Sequence, residues 1–365
     1  MRCINMRDLD HKAWDDYCVA IGGVAPRHFY HFLDYLEKSY NAVNLSFILE
    51  DDQGKTVAVC PLFIEQTSLE GVTCLSTTCG GDPAQLPAIR HCGTPSMRRR
   101  DVKAVFDIIH ALCAEKNVGR IIFRRGSVGS LSSCCTYSQS GIFEALNAGY
   151  QPICFNSLQI DLSKSEDQLL EEVSKYHRKH LKKAEKLGQV IEVVDQACSD
   201  ELIHRAFSDY QSAHFAAAGR MTRPQDSFDA MRGLIRNGNG ALFINKMNNT
   251  PISYLFCGAW AGLAFGWSQA NIEAYEEFSP RHLLEWQAIL YYRAQGCRYY
   301  ELGSRFSNGQ IAQWCDDKLL NISFFKERYG GDLLPEVYFE RFLDRQLFQR
   351  VWSVRLEKFA DRFFA

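Results

Sequence analysis

Arg298-Tyr-Tyr-Glu-Leu-Gly-Ser304 and, farther on, Ser323-Phe-Phe-Lys-Glu-Arg-Tyr-Gly-Gly331 are the two stretches that decide how this chain folds. The first reads as a buried strand that stops at a glycine. The second reads as another strand, with Lys326 beside two aromatics and a Gly-Gly turn at its end. Between them runs a polar, irregular loop, 304–320, with Arg305, Asp316, Asp317 and Lys318. A lysine fixed on a rigid element beside a charged loop suits acyl transfer, in which negative charge grows on one oxygen.

Working outward, Ser279-Pro280 predicts a helix to Gln295, with serine as N-cap and proline at the first helical position. Strands are expected over 190–194, 241–246, 252–260 and 263–269, and helices over 201–218 and 226–236. One long helix over 166–187 is expected to stop at Gly188. The first half shows a similar plan. Amphipathic helices over 12–21 and 28–40 precede a hairpin, 45–49 with 56–66, turning at Asp51-Asp52-Gln53-Gly54. A Gly/Pro-rich loop over 79–96 leads to a helix capped by Ser96 and then to a strand over 120–124. In both halves a helix is followed by an arginine-led strand ending in Gly-Ser, at Ser127 and at Ser304.

The expected fold class is therefore mixed α/β. Two similar domains, 1–152 and 153–341, would be joined near 150–161, each a mixed sheet flanked by helices. An amphipathic helix occupies 342–365, with Leu343, Leu347, Val351, Phe359 and Phe363 roughly on one side.

Composition narrows the function. The chain has 365 residues, 46% hydrophobic and 23% charged, with a net charge of -2, so it is not a globally basic nucleic-acid binder. Apolar runs are too short to span a membrane, and the first twenty residues mix charges with apolar positions unlike a signal peptide. Fourteen cysteines include no Cys-x-x-Cys pair; Cys134-Cys135 and Cys74 with Cys79 are the close ones. Reduced thiols in a cytoplasmic protein are the expectation. His28 with His31, and His177 with His180, lack a carboxylate or cysteine at ligand spacing, so no metal is expected. No Gly-x-Ser-x-Gly elbow or phosphate loop occurs.

Several residues could carry chemistry. Lys175, His177, Arg178, Lys179, His180, Lys182, Lys183 and Lys186 wrap one helix. Arg178, Lys179, Lys182 and Lys183 on it would contact phosphate; a solvated basic face is the alternative. Arg281 and His282 follow the start of the Ser279 helix, whose free N–H groups could hold a phosphate; a plain helix start is the alternative. Glu301 and Glu285 could be buried beside Lys326 and position an amine, and Asp316 and Asp317 are loop carboxylates able to accept its proton. Phe325, Tyr300 and Arg305 frame the substrate side. Lys326 could also simply snorkel past its aromatic neighbours.

Taken in order, Asp161-Leu-Ser163, the basic helix to Gly188, the Ser279–Trp286 turn and helix, Arg298–Gly303 and Ser323–Gly331 resemble the Fem-type aminoacyltransferases and related proteins of two GNAT-type domains. The resemblance is good over the C-terminal domain and holds in outline over the N-terminal half. It implies two tandem GNAT-like domains and an acyltransferase that forms an amide on an amine-bearing envelope precursor. The lysine of the Phe-Lys pair, here Lys326, would be the catalytic-site lysine. The implied co-substrate is aminoacyl-tRNA, or alternatively acetyl-CoA or another acyl-CoA, with no bound cofactor. No Gln/Arg-x-x-Gly-x-Gly/Ala turn precedes the helices at Ser96 or Ser279, which favours aminoacyl transfer. The acceptor would be nucleotide- or lipid-linked. The C-terminal helix is expected to pack on its own domain or on a second subunit in a homodimer, with peripheral membrane contact through Trp352, Phe359, Phe363 and Phe364 as the alternative; a non-catalytic RNA- or anion-binding protein is the reading from another class.

Overall fold

The computed structural model describes residues 1–22, 24–90, 94–125, 140–220, 223–307, 309–312 and 315–364. It divides into two compact units, one of Met1–Phe155, Phe306–Asp316 and Pro335–Ala365, the other of Asn156–Arg305 and Asp317–Leu334. Each is mixed α/β.

In the first unit the helix Pro95–Glu115 buries Val102, Val105, Phe106, Ile109 and Cys113, the spacing of one helical face. That face packs with Phe47, Val57, Ile121 and Phe123 in one core. The next strand, Arg120–Arg125, runs parallel to Val72–Ser76 and Asp82–Gln85, and antiparallel to Asp332–Phe342 with Arg120 opposite Phe342. A smaller sheet joins Arg2–Asn5, Phe47–Glu50, Thr56–Cys60 and Ala88–Ile89. The last helix, Arg345–Phe363, buries Leu347, Val351 and Arg355. Arg355 is fully buried and meets the Glu340 carboxylate at 2.8 Å, which also accepts from Arg120 at 2.7 Å. Leu347 sits where a Cβ on Gly119 would come within 2.6 Å, so the helix is closely fitted to its own unit.

The second unit repeats helix then strand. Its sheet runs in the order Val190–Val194, Gly240–Met247, Thr250–Trp260, Leu263–Asn271, Tyr299–Ser304, and then the strand Gln151–Asp161. All neighbours are antiparallel except Leu263–Asn271 with Tyr299–Ser304. A parallel pair needs a crossover, and the helix Pro280–Ala294 supplies it, burying Leu284, Ala288, Ile289 and Tyr292 against Phe243, Leu255 and Tyr300. The parallel register covers only Leu263↔Tyr299, Ala264↔Tyr300 and Phe265↔Glu301. Both strands continue past that point without pairing to each other. They part there.

Several elements differ from the sequence expectation. Ser323–Gly331 is not a strand: Lys326 lies on the helix Asp317–Glu327. The aromatic pair looks strand-like alone, but with the preceding residues it completes eleven helical positions. Ser323 Oγ donates back to Leu319 O at 2.9 Å, and Gly330 and Gly331, at φ 83° and 87°, end the segment. The expected link at 150–161 is the strand Gln151–Asp161, which buries Ile153, Phe155, Leu158 and Ile160. The expected long helix is two, Glu166–Glu172 and Lys175–Lys186, because Ser174 caps the second by accepting from His177 N. Ser279 is left-handed (φ 55°) and its side chain caps nothing, and Thr94 rather than Ser96 caps the Pro95 helix. The strand expected over 56–66 is interrupted at Pro61, and the loop over 79–96 contains the strands Asp82–Gln85 and Ala88–Ile89. The C-terminal helix starts at Arg345, since Phe342 still belongs to a strand. Gly126-Ser127 and Cys134-Cys135 lie outside the described residues. Among the described residues no helix is long and apolar enough to cross a membrane.

Candidate active site

Where the parallel strands of the second unit part, a cavity of about 170 Å³ opens. Gly266 to Gln269 line it from one strand and Leu302 from the other, with Arg281 and Glu285 from the crossover helix and Phe325 and Lys326 from the helix Asp317–Glu327. The end of a parallel strand pair is where open α/β sheets hold ligands, because side chains and backbone from several elements converge there.

Lys326 occupies the last turn of its helix, where a cation complements the carbonyl end of the dipole. A Cβ on Gly303 would lie 3.1 Å from its Nζ, and Gly303 has φ 86°, so two constraints at once favour glycine. The preceding residue is held from below: the Phe325 carbonyl is 3.0 Å from His177 Nε2, which donates to it. The Arg281 guanidinium lies over the Phe325 ring, 4.4 Å from its centroid, and Arg281 Nε donates to Gln269 Oε1 at 3.1 Å.

Glu285 stands one helical turn after Arg281. Tyr300 Oη donates to its Oε1 at 2.7 Å. Burial holds the Glu285 carboxyl above the usual carboxylate range; the Tyr300 hydrogen bond and the charges of Arg281 and Lys326 pull partly the other way. Gly266 makes room for this acid, since a Cβ there would sit 3.2 Å from Tyr300 Oη and 3.3 Å from Glu285 Oε1. A proton-hungry carboxyl and a lysine ammonium thus line one small cavity.

Behind Phe325 lies a cluster of imidazoles. His282 packs on His177 at 4.6 Å and stacks on His180 at 4.3 Å between ring centroids. Burial pushes all three below the ordinary histidine value, His177 to about 4 and His282 to about 3. Tyr329 Oη donates to the His282 carbonyl at 3.1 Å. Among the described residues no group of three or more His, Cys, Asp or Glu side chains could hold a metal. The cluster is a neutral aromatic bed for Phe325.

The structure thus brings Lys326, Phe325, Tyr300 and Arg281 together, with Glu285 and not Glu301 as the carboxyl beside them. Strand alternation explains the choice: Tyr300 and Leu302 point inward, so Glu301 faces the other way. His282 lies one layer beneath the cavity. Arg305 turns to Glu327, 2.9 Å away, and lies over Phe324. Asp317 opens the helix that Lys326 nearly closes, about 13 Å away at 1.5 Å rise per residue. Asp316 belongs to the first unit. On the helix Lys175–Lys186, His177 and Ala184 are buried while Lys179, Lys182 and Lys183 are exposed. Lys183 donates to Glu277 O at 2.8 Å and Arg178 to Leu170 O at 3.5 Å. The lining residues Gly266 to Gln269 were not singled out by the sequence; Gly266 inside an otherwise regular strand pattern is the signal for a close approach.

Residues 172–308 match the family model described as acetyltransferase (GNAT) domain. No curated protein matches the sequence. Among solved structures, the crystal structure of FemX is similar over 96% of this chain and 100% of its own, with TM-score 0.65 at 13% identity. L-PGS from Bacillus licheniformis is similar over 95% and 96%, TM-score 0.57 at 12% identity. A tandem GNAT protein from the clavulanic acid biosynthesis pathway is similar over 93% and 98%, TM-score 0.52 at 11% identity. The fold is a Fem-like tandem GNAT fold. With the matched domain it indicates an acyltransferase.

Proposed function

We propose that this GNAT-fold acyltransferase forms an amide on an amine-bearing cell-envelope precursor, a peptidoglycan stem peptide or an amino sugar, with aminoacyl-tRNA as donor. The observation that carries the reading is that Lys326 and half-buried Glu285 line one cavity at the parting of the parallel strands. The acceptor, entering as the neutral amine, attacks the ester carbonyl carbon and gives Glu285 the proton its nitrogen then sheds. A C–N bond forms, and the Lys326 ammonium stabilises the oxyanion. Collapse breaks the C–O bond, and the proton held by Glu285 returns to the leaving sugar oxygen. Its raised proton affinity suits Glu285 to this shuttle. The exposed lysines 179, 182 and 183 would meet the phosphates of the donor or of a nucleotide-linked acceptor.

A second reading, acyl transfer from acyl-CoA, is favoured by the acetyltransferase description of the matched domain. One experiment separates the two. The protein is given tRNA charged with radiolabelled amino acids plus a uridine-diphosphate-linked stem peptide, and in parallel acetyl-CoA plus the same acceptor and simple amino sugars. Label moving from tRNA to acceptor, and lost in Lys326→Met and Glu285→Gln, supports the first reading. Thiol release from acetyl-CoA without tRNA-dependent transfer would replace the donor, and no transfer from either would remove the assignment.

A further inference from the structure

The first unit contains a larger cavity, about 850 Å³, along the helix Pro95–Glu115. That volume is in the range of dedicated small-molecule sites. Val102 and Phe106 lie along the helix face that borders it, and Phe106 packs on the Tyr150 ring at 5.3 Å. Four cations, Arg98, Arg99, Lys103 and Arg341, line it against two carboxylates, Asp107 and Glu144, which leaves an excess of positive charge. Lys103 pairs with Asp107 at 2.5 Å, and Arg98 with Glu144 Oε1 at 2.6 Å. Arg341 donates to the Ala148 carbonyl.

Two features are left over. Arg99 is exposed at the cavity with no partner among the described residues. Glu144 Oε2 is buried and has no hydrogen-bond partner among the described residues. A buried acceptor left unmade is costly, so a ligand that brings a donor would satisfy it.

We propose that this cavity binds a single-chain phosphate monoester amphipath, its alkyl part along Val102 and Phe106 and its head at Arg99 and Glu144. A phosphate monoester matches both leftovers. Its negative oxygens suit Arg99, and its monoanion keeps one O–H that can donate to Glu144 Oε2; the second proton leaves near neutral pH. A carboxylate head would leave Glu144 unmet and repel it. The proposal is independent of the acyl-transfer reading, because the cavity belongs wholly to the first unit.

The test is calorimetric titration of the full chain with decyl phosphate below its micellar concentration, beside decanol and inorganic phosphate. Saturable one-to-one binding of decyl phosphate is expected, at least tenfold tighter than either fragment. Arg99→Glu should weaken it roughly tenfold or more, and Asn147→Trp, an exposed change on the cavity wall, should block it while circular dichroism stays unchanged. Equal binding of decanol would mean mere apolar partitioning and equal binding of phosphate an anion site only; either overturns the proposal. So does absence of binding, or binding untouched by both variants.

Discussion

Lys326 is the side chain on which the acyl-transfer reading is most exposed. Lys326→Met keeps an unbranched apolar stem beside Phe325 and removes the ammonium that lies against Gly303. Turnover should fall on the order of 100- to 1000-fold while substrate binding stays within a few-fold, measured at saturating donor and acceptor. Near-normal turnover would move the chemistry elsewhere. The family resemblance, rather than spacing, put Lys326 forward, and the sequence offered Glu285 only alongside Glu301. Glu301 sits next to Tyr300 in the chain, but alternation along a strand turns adjacent side chains to opposite faces. Glu285 is fifteen positions from Tyr300 and meets it only because the crossover helix lies over that face. The period-2 rule applied to Tyr-Glu-Leu at 300–302 would have excluded Glu301; nothing local to Glu285 would have ranked it above Glu301.

At the scale of elements, the helix Lys175–Lys186 has a divided surface. His177 and Ala184 are buried while the lysines at 179, 182 and 183 face solvent. Replacing those three with alanine should leave thermal stability within about 1 kcal/mol, since exposed charges contribute little. Affinity for the phosphate-bearing substrate should drop, and its dependence on salt concentration should flatten. A salt profile identical to that of the unaltered protein would leave the helix with no role beyond solvation. Helices and strands with a clear period were readable here: Asp200–Ala218, Gly240–Met247 and Leu263–Asn271 fall close to where their patterns place them. The helix Asp317–Glu327 was not, because its surface is amphipathic only weakly and its charged start, Asp317-Lys318, resembles the loop before it. Tertiary support decides it: His177 holds the Phe325 carbonyl from another helix.

For the molecule as a whole, buried histidines set how stability responds to acid. His28 in the first unit is pushed to about 4, chiefly by burial, as is His177 in the second, and His282 to about 3. Each sits below its ordinary value near 6.5, so the unfolded chain binds more protons in that interval. Stability from these groups is therefore complete above pH 6.5 and is lost progressively as pH falls toward 4. Urea unfolding at pH 7.5 and 5.0 should show a lower midpoint at pH 5.0, with His28→Gln and His282→Gln each reducing the difference. A midpoint independent of pH would mean that the imidazoles are solvated when folded. With two units, the transition is best followed by probes in each.

The parallel strands that stop pairing after Phe265 and Glu301 leave a seam in an otherwise continuous hydrogen-bonded fabric. A seam is legible to deuterium. Amides of Gly266–Gln269 should exchange faster than those of Tyr254–Gly258, which are paired on both sides by Gly240–Ile244 and Phe265–Ala270. A substrate that threads the gap would close it like a stitch, slowing exchange there without altering the neighbouring strands. Exchange mass spectrometry could then rank candidate substrates by protection alone, before any product is known, and protection appearing elsewhere would redirect the search.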